Sequence, residues 1–211
     1  MKIGIYGGTF DPPHIGHINI LKCFCRQFSL DEVYVIPACI PPHKTVNSGV
    51  KPIDRFDMAV LAFSGISEKI IISDIEMKRK GKSYTSDTIK YFREKSGEAP
   101  YFLCGTDMFL TLDTWHEPEY IMKNSVVVCA RRENDPKNDA LIVEKELEYR
   151  KKYDAIVRKL DCAVIQVSST DVRKAISNAY KTNDFSNAFV TDEVMKYILK
   201  NNLYREGNIN D

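Results

Sequence analysis

The strongest chemical signal in the sequence is one continuous string near the amino terminus, Gly7-Gly8-Thr9-Phe10-Asp11-Pro12-Pro13-His14-Ile15-Gly16-His17. Its paired glycines let backbone N–H groups approach a phosphate closely, because no Cβ intervenes. A helix predicted to begin near His14 adds free N–H groups and the positive end of its dipole. His14 and His17 share one face of its first turn, and Gly16 leaves room beside them. The string predicts a phosphate-binding turn rather than a glycine turn followed by two surface histidines.

A second, hydroxyl-rich string lies where a predicted strand passes into a predicted helix, from Val167 to Lys174. The hydroxyl groups of Ser168, Ser169 and Thr170 can cap N–H groups at the helix start or donate to phosphate oxygens. Arg173, one turn further on, can reach a phosphate with its forked guanidinium. Alone, this string also fits a well-capped helix without a ligand. Beside the first string, it predicts a second phosphate contact at the same edge of a sheet.

The long loop from Pro37 to Pro52 carries a third string, Pro41-Pro42-His43-Lys44. Functional loops concentrate after strands, and the two prolines stiffen this one. Lys44 would offer a polyphosphate a mobile point charge. A loop lysine is usually just solvated, so this prediction depends on the two other strings.

Short apolar runs alternate with amphipathic segments, which predicts a parallel sheet covered by helices on both faces. We expect an α/β, doubly wound, Rossmann-like fold, in a single domain over residues 1–211 with a helical carboxyl-terminal part at about 169–204. Right-handed crossovers then bring the carboxyl ends of all strands to one edge, where ligands bind. The predicted strands are Ile3–Tyr6, Val33–Ile36, Ile70–Ser73, Tyr101–Cys104, Val126–Ala130 and Ala163–Val167, and the predicted helices include Ile15–Phe28, Asp54–Phe63, Thr85–Glu94 and Glu117–Lys123.

The composition narrows the class of protein. With a formal net charge of +1 and 28% charged residues, the chain lacks the excess of positive charge typical of extended nucleic-acid binding. No apolar stretch is long enough to cross a bilayer, and the first apolar run is too short for a signal peptide. We therefore expect a cytoplasmic protein that binds neither nucleic acid nor membranes, as a monomer or a homodimer. The six cysteines form no C-x-x-C pair, which predicts reduced thiols and no metal site: Cys23, Cys25, Cys39, Cys104, Cys129 and Cys162.

The first string resembles the signature of the nucleotidyltransferase superfamily that shares an H-x-G-H motif. Within that superfamily, the chain from residue 2 to about Tyr204 is similar to the bacterial nicotinate-nucleotide adenylyltransferases, which make deamido-NAD. The H-x-G-H string is specific to the superfamily only, whereas its combination with P-P-H-K, S-Y-T-x-D-T and T-W is specific to this family. These narrower matches are Pro41 to Lys44, Ser83 to Thr88, Gly105-Thr106-Asp107, Thr114-Trp115-His116 and the closing string Val194 to Leu199, which ends in Leu203-Tyr204.

The resemblance implies that the first two strings bind ATP. His14 and His17 would hold its phosphates and stabilise charge as the bond to pyrophosphate breaks, and Lys44 would assist from its loop. Arg173 would hold the β and γ phosphates together with the neighbouring hydroxyl groups. The remaining implied ATP contacts are Gly7, Gly8, Thr9, Phe10, Gly16, Ser168, Ser169 and Thr170, with Gly105 and Asp107 on the ribose or adenine side.

The resemblance also implies a pocket for nicotinate mononucleotide. The pyridine ring would stack on Trp115, and Thr85 would lie near the carboxylate. The backbone N–H at His116 would be a second donor to that carboxylate, and Tyr84 would complete the pocket.

The implied reaction transfers AMP from ATP to nicotinate mononucleotide and releases pyrophosphate. The substrate phosphate is already a competent nucleophile, so no serine, cysteine or general base is required. Catalysis would consist of positioning two anions in line and neutralising charge on the α-phosphate and the leaving group. Mg²⁺ is expected to arrive on the ATP phosphates, without a dedicated protein cage.

One departure and three alternatives accompany this interpretation. Arg131-Arg132-Glu133-Asn134 replaces the family's usual proline-glycine after an arginine, which leaves the roles of Arg131 and Arg132 open. Phosphopantetheine adenylyltransferase shares the first string but is shorter and lacks the P-P-H-K and S-Y-T-x-D-T combination. A nicotinamide-preferring relative would share the chemistry. A non-catalytic nucleotide-sensing module would be free to lose His14, His17 or Lys44, all of which are present.

Overall fold

The computed structural model describes residues 1–41, 49–79, 81–131, 136–163, 165–186 and 188–205. At its centre, six parallel strands form one sheet in the order β3-β2-β1-β4-β5-β6. The strands are β1 (Ile3–Gly8), β2 (Glu32–Pro37), β3 (Ile70–Ile72), β4 (Tyr101–Gly105), β5 (Val126–Ala130) and β6 (Ile156–Leu160). The helices are α1 (Ile15–Gln27), α2 (Pro52–Phe63), α3 (Ile75–Lys78), α4 (Thr85–Ser96), α5 (Thr106–Leu110), α6 (Pro118–Asn124), α7 (Pro136–Tyr153), α8 (Ser169–Thr182) and α9 (Asp192–Lys200), with a 3₁₀ turn at Leu112–Thr114.

The central strands are apolar on both faces because helices cover both sides of the sheet. Successive residues of a strand point to opposite faces, and the core divides in the same way. Val35 belongs to a cluster with Phe24 and Phe63, whereas its neighbour Tyr34 belongs to a second cluster with Phe92. This two-sided core confirms the predicted doubly wound α/β fold.

The sixth strand is Ile156–Leu160, so the prediction of a strand at Ala163–Val167 is wrong. β6 pairs with β5 at the edge of the described sheet, and it buries Val157 and Leu160 while its other side chains are exposed. An edge strand lacks the continuous apolar run by which the buried strands were recognised. Ala163, Ile165 and Val167 instead precede α8 and line a cleft described below.

Cys23 and Cys162 form a disulfide, so the expectation of reduced thiols is wrong for this pair. The bond joins α1 to the segment that follows β6, across a sequence separation of 139 residues. No spacing pattern marks such a pair, because the fold alone brings the two positions together. Burial raises the pKa of the Cys25 thiol and raises that of Cys129 to about 12, so both of these thiols stay protonated at neutral pH.

The strand order places a switch point between β1 and β4. On one side of β1 lie β2 and β3, and on its other side lie β4, β5 and β6. The direction in which the sheet grows along the chain therefore reverses between β1 and β4. Ligands of doubly wound folds bind in the crevice outside the carboxyl ends of such strands. Here those ends are Gly8 and Gly105. Among the described helices, none is long and apolar enough to cross a membrane.

Candidate active site

The glycine turn after β1 is open on one side and tightly packed on the other. A Cβ added at Gly8 would lie 2.8 Å from the ring of Phe10, whereas one at Gly7 would meet no atom within 4 Å. Phe10 has a left-handed backbone (φ 49°) and a buried ring that contacts His17 edge-on, with 5.2 Å between centroids. The Phe10 ring is therefore part of the core and packs against His17. Phe10, an expected ATP contact, can then contact a ligand only through its backbone.

The two histidines at the start of α1 form a stacked, buried pair. Their ring centroids lie 3.7 Å apart. The backbone N–H of His14 donates to Nδ1 of His17 at 3.2 Å. Because Nδ1 accepts, the proton of the neutral His17 ring is assigned to Nε2, so Nε2–H is the donor that this ring offers to an anion. A Cβ at Gly16 would lie 3.0 Å from Val167 and 3.1 Å from the His14 ring, which explains the glycine.

The second string is bonded directly to the first. Nη1 of Arg173 donates to the backbone oxygen of Asp11 at 2.8 Å, and the Ser169 hydroxyl donates to that of Pro12 at 3.2 Å. Ser168 caps α8 by accepting from the Asp171 N–H at 3.1 Å. The predicted convergence of both strings is thus present, with Ser168 serving the helix itself.

Arg55 on α2 holds the glycine turn against the loop that follows β2. Its Nη1 donates to the backbone oxygens of Thr9 (2.8 Å) and Ala38 (2.6 Å), and its Nη2 donates to that of Cys39 (3.0 Å). Burial lowers the pKa of Arg55, and the nearby Asp11 opposes this shift. Arg55 was not predicted as part of the site, because an arginine within a helix has no local signature of such a role.

The strings expected to form a pyridine pocket are also brought together. The Ser83 hydroxyl accepts from the backbone N–H groups of Cys39 (2.9 Å) and Ile40 (3.3 Å), which attaches the S-Y-T string to the β2 loop. The rings of Tyr84 and His116 stack with 4.2 Å between centroids and 34° between planes. Thr85 begins α4 beside this stack, and Trp115 is half-buried with its ring 6.3 Å from that of Phe102.

The buried carboxyl group of Glu76 is hydrogen-bonded to the first turn of α4, next to the S-Y-T string. The Thr88 hydroxyl donates to Oε1 of Glu76 at 3.0 Å, and Arg79 lies 3.7 Å from the same oxygen. Burial raises the pKa of Glu76, while hydrogen bonds from Ser83 and Thr88 oppose the shift. Glu76 therefore helps to order the start of α4.

A cleft beside the histidines contains residues that the sequence analysis left open or missed. Arg131 lies at this cleft, and its Nη2 is 2.6 Å from Asp139. Gly105 ends β4 and caps α5, whose first turn exposes Asp107. Lys44 and Arg132 lie outside the described residues. The cleft is lined by His14, Gly16, His17, Ile20, Arg131, Ala163, Ile165 and Val167.

Hydrogen-bond donors suited to phosphate lie together at the switch point of a doubly wound sheet. This combination defines a nucleotide-binding α/β protein. Within the described ranges, no three His, Cys, Asp or Glu side chains lie together in a way that could hold a metal ion. A family model described as cytidylyltransferase-like matches residues 5–175.

Full-length relatives narrow this class. A protein of Clostridium botulinum strain Eklund 17B is 37% identical over 209 residues, covering 97% of this chain and 98% of the relative. One from Caldicellulosiruptor saccharolyticus is 35% identical over 207 residues, covering 98% and 100%. Both are named probable nicotinate-nucleotide adenylyltransferase. The chain belongs to the nicotinate-nucleotide adenylyltransferase family, as the sequence motifs predicted.

A solved structure shares the fold over nearly the whole chain. The nicotinic acid mononucleotide adenylyltransferase of Plasmodium falciparum, complexed with NaAD, superposes with a TM-score of 0.76 at 22% identity. The match covers 99% of this chain and 98% of the other.

Proposed function

We propose that this chain transfers AMP from ATP to nicotinate mononucleotide, giving deamido-NAD and pyrophosphate in NAD biosynthesis. The hydrogen bond that joins the second string to the first, from Arg173 to the backbone oxygen of Asp11, carries the proposal because it brings together two distant segments with candidate phosphate ligands. The contact between the Tyr84 and His116 rings and the bond from Cys39 to Ser83 support a site for an aromatic acceptor beside it. Family membership over the full length supports the same reaction.

In this reaction, a phosphate oxygen of nicotinate mononucleotide attacks the α-phosphorus of ATP. A new P–O bond forms, and the bond from the α-phosphorus to the bridging oxygen breaks, so pyrophosphate leaves with that electron pair. We assign the Nε2–H of His17 to the charge that develops on the α-phosphate, and Arg173 to the outer phosphates. The remaining contribution of the chain is to hold the two anions in line.

We propose that Mg²⁺ enters as part of the ATP substrate. This hard, strongly hydrated ion is commonly held by substrate phosphates with few carboxylates. The carboxylate within the first string, Asp11, accepts from Tyr204 and lies 3.9 Å from Arg173, so it is a poor additional ligand. We place the reaction in the cytoplasm, where ATP is abundant, with the chain acting as a monomer or a homodimer.

The purified chain should release pyrophosphate only when ATP, Mg²⁺ and nicotinate mononucleotide are all present, and deamido-NAD should appear in equal amount. A coupled pyrophosphate assay with chromatography of the products measures both. Replacing the acceptor by phosphopantetheine is the control for the nearest alternative chemistry. Turnover with phosphopantetheine alone would contradict the proposal, and ATP binding without any turnover would indicate a sensing module.

Arg173→Ala should raise the KM for ATP by about ten- to a hundredfold, because a charge-assisted contact to phosphate is lost. The KM for nicotinate mononucleotide should change by less than about threefold, since this residue serves the other substrate. Arg150→Ala is the matched control, as Arg150 lies on α7 in a surface pair with Glu146. The reverse pattern of KM changes would assign α8 to the mononucleotide.

A further inference from the structure

The carboxyl-terminal end of the chain reaches the glycine turn through one buried hydrogen bond. The Tyr204 hydroxyl donates to Oδ1 of Asp11 at 2.7 Å, across 193 residues of sequence. The Tyr204 side chain is fully buried, and Asp11 is 5% exposed. Burial, and then the charge of Asp11, raise the pKa of Tyr204 well above its ordinary value, so the hydroxyl keeps the proton that it donates.

The same aspartate faces the arginine that we assign to ATP. Its Oδ2 lies 3.9 Å from Nη1 of Arg173, which is bonded instead to the Asp11 backbone oxygen at 2.8 Å. The second nitrogen, Nη2, donates to the Thr170 hydroxyl at 3.1 Å. The side chain of Arg173 is 23% exposed, so part of its guanidinium faces the open side of the site.

We propose that Tyr204 is a positioning residue for ATP binding: by holding Oδ1 of Asp11, it keeps this carboxylate from closing on Arg173. The inference rests on the proposed role of Arg173 as a phosphate ligand. Without the tyrosine hydroxyl, Oδ1 of Asp11 loses its hydrogen-bond donor. A buried carboxylate without a donor is costly, so pairing with a nearby cation becomes favourable. Arg55 is committed to three backbone oxygens, so Arg173 is the nearby cation that can move.

Tyr204→Phe, which removes one oxygen atom, should raise the KM for ATP by about five- to thirtyfold, because Arg173 becomes paired with Asp11. The KM for nicotinate mononucleotide should stay within about twofold. Calorimetric binding of ATP in the absence of mononucleotide should weaken by the same factor. Tyr197→Phe is the matched control, since it removes another hydroxyl of the carboxyl-terminal part, one that lies 3.0 Å from both Asp54 and Asp57 and joins α9 to α2.

Double variants separate positioning from a merely structural role. Adding Asp11→Asn to Tyr204→Phe should restore ATP affinity to within about threefold of the unaltered protein, because the competing charge is gone. In an Arg173→Ala background, Tyr204→Phe should have no further effect on ATP binding. Additive losses in both backgrounds, or an unchanged ATP affinity in Tyr204→Phe, would overturn the inference.

Two features keep this test decisive. If Tyr204→Phe does not fold, the Asp11→Asn/Tyr204→Phe variant still tests the proposal. The proposal requires near-normal ATP affinity in this double variant, and a clear loss of affinity would overturn it. The calorimetric measurement uses ATP alone and so does not depend on the acceptor. Failure of the proposed reaction, seen as no turnover by the unaltered protein, is therefore distinct from failure of the positioning role.

Discussion

Replacing His17 by alanine is expected to lower kcat by about 10²- to 10⁴-fold, while the Kd for ATP changes by less than about tenfold. The imidazole is buried, stacked on His14 at 3.7 Å and supported by Phe10, so its Nε2–H has a fixed direction. A fixed donor gains most where charge develops, because it need not reorganise during the reaction. The loss therefore falls on kcat more than on substrate binding.

His17→Asn is the informative companion variant. Its amide oxygen can still accept from the His14 N–H, as Nδ1 of the imidazole does at 3.2 Å. Its NH₂ group can still donate, although from a shorter side chain, so part of kcat should return. Thermal unfolding of both variants checks that α1 remains intact. A His17→Ala enzyme with near-normal kcat would remove this residue from the chemistry.

Local strings predicted most of the site because local backbone geometry creates it. The glycines at 8 and 16 are needed where a Cβ would come within 2.8 Å of Phe10 and 3.0 Å of Val167. Such steric needs leave a mark in the sequence at the position itself. The same holds for Ser168, which caps α8 as hydroxyl residues at helix starts do.

Groups that act across the fold were missed for the opposite reason. Arg55 and Tyr204 reach the glycine turn only after α2 and the carboxyl terminus have packed. Arg55 lies in none of the matched strings, and the match that ends in Leu203-Tyr204 implied no role for the tyrosine. The edge strand Ile156–Leu160 was missed because its exposed side chains break the apolar run. Long-range contacts depend on packing of the whole chain, which residue types and spacing do not specify.

The strongest preference expected of this site is for the acid over the amide form of the mononucleotide. The value of kcat/KM for nicotinate mononucleotide should exceed that for nicotinamide mononucleotide by about 10²- to 10⁴-fold. A carboxylate needs donors only, and the proposed pocket offers Thr85 at the start of α4 and a backbone N–H at His116. An amide would turn its own NH₂ group towards one of these donors and leave buried hydrogens unpaired, at a cost of about 1–3 kcal/mol each.

Trp115→Ala should lower kcat/KM for nicotinate mononucleotide by about 10²-fold, because the ring loses the flat surface that keeps its carboxylate in register with the donors. Trp115 is half-buried, and its indole packs edge-on against the Phe102 ring, which limits its movement. The KM for ATP should stay within about threefold, since the proposed ATP ligands are His17 and Arg173 and not this indole. Trp115→Phe keeps a smaller aromatic surface and should lose less.

Steady-state kinetics with both mononucleotides, for the unaltered chain and the two Trp115 variants, test this pocket directly. The acid preference should shrink in Trp115→Ala, because a ring that is free to tilt no longer presents its substituent to fixed donors. Equal kcat/KM values for the acid and the amide in the unaltered chain would overturn the donor assignment. Adenylyl transfer itself would still stand in that case, because His17 and Arg173 contact ATP and not the pyridine ring in the proposed mechanism.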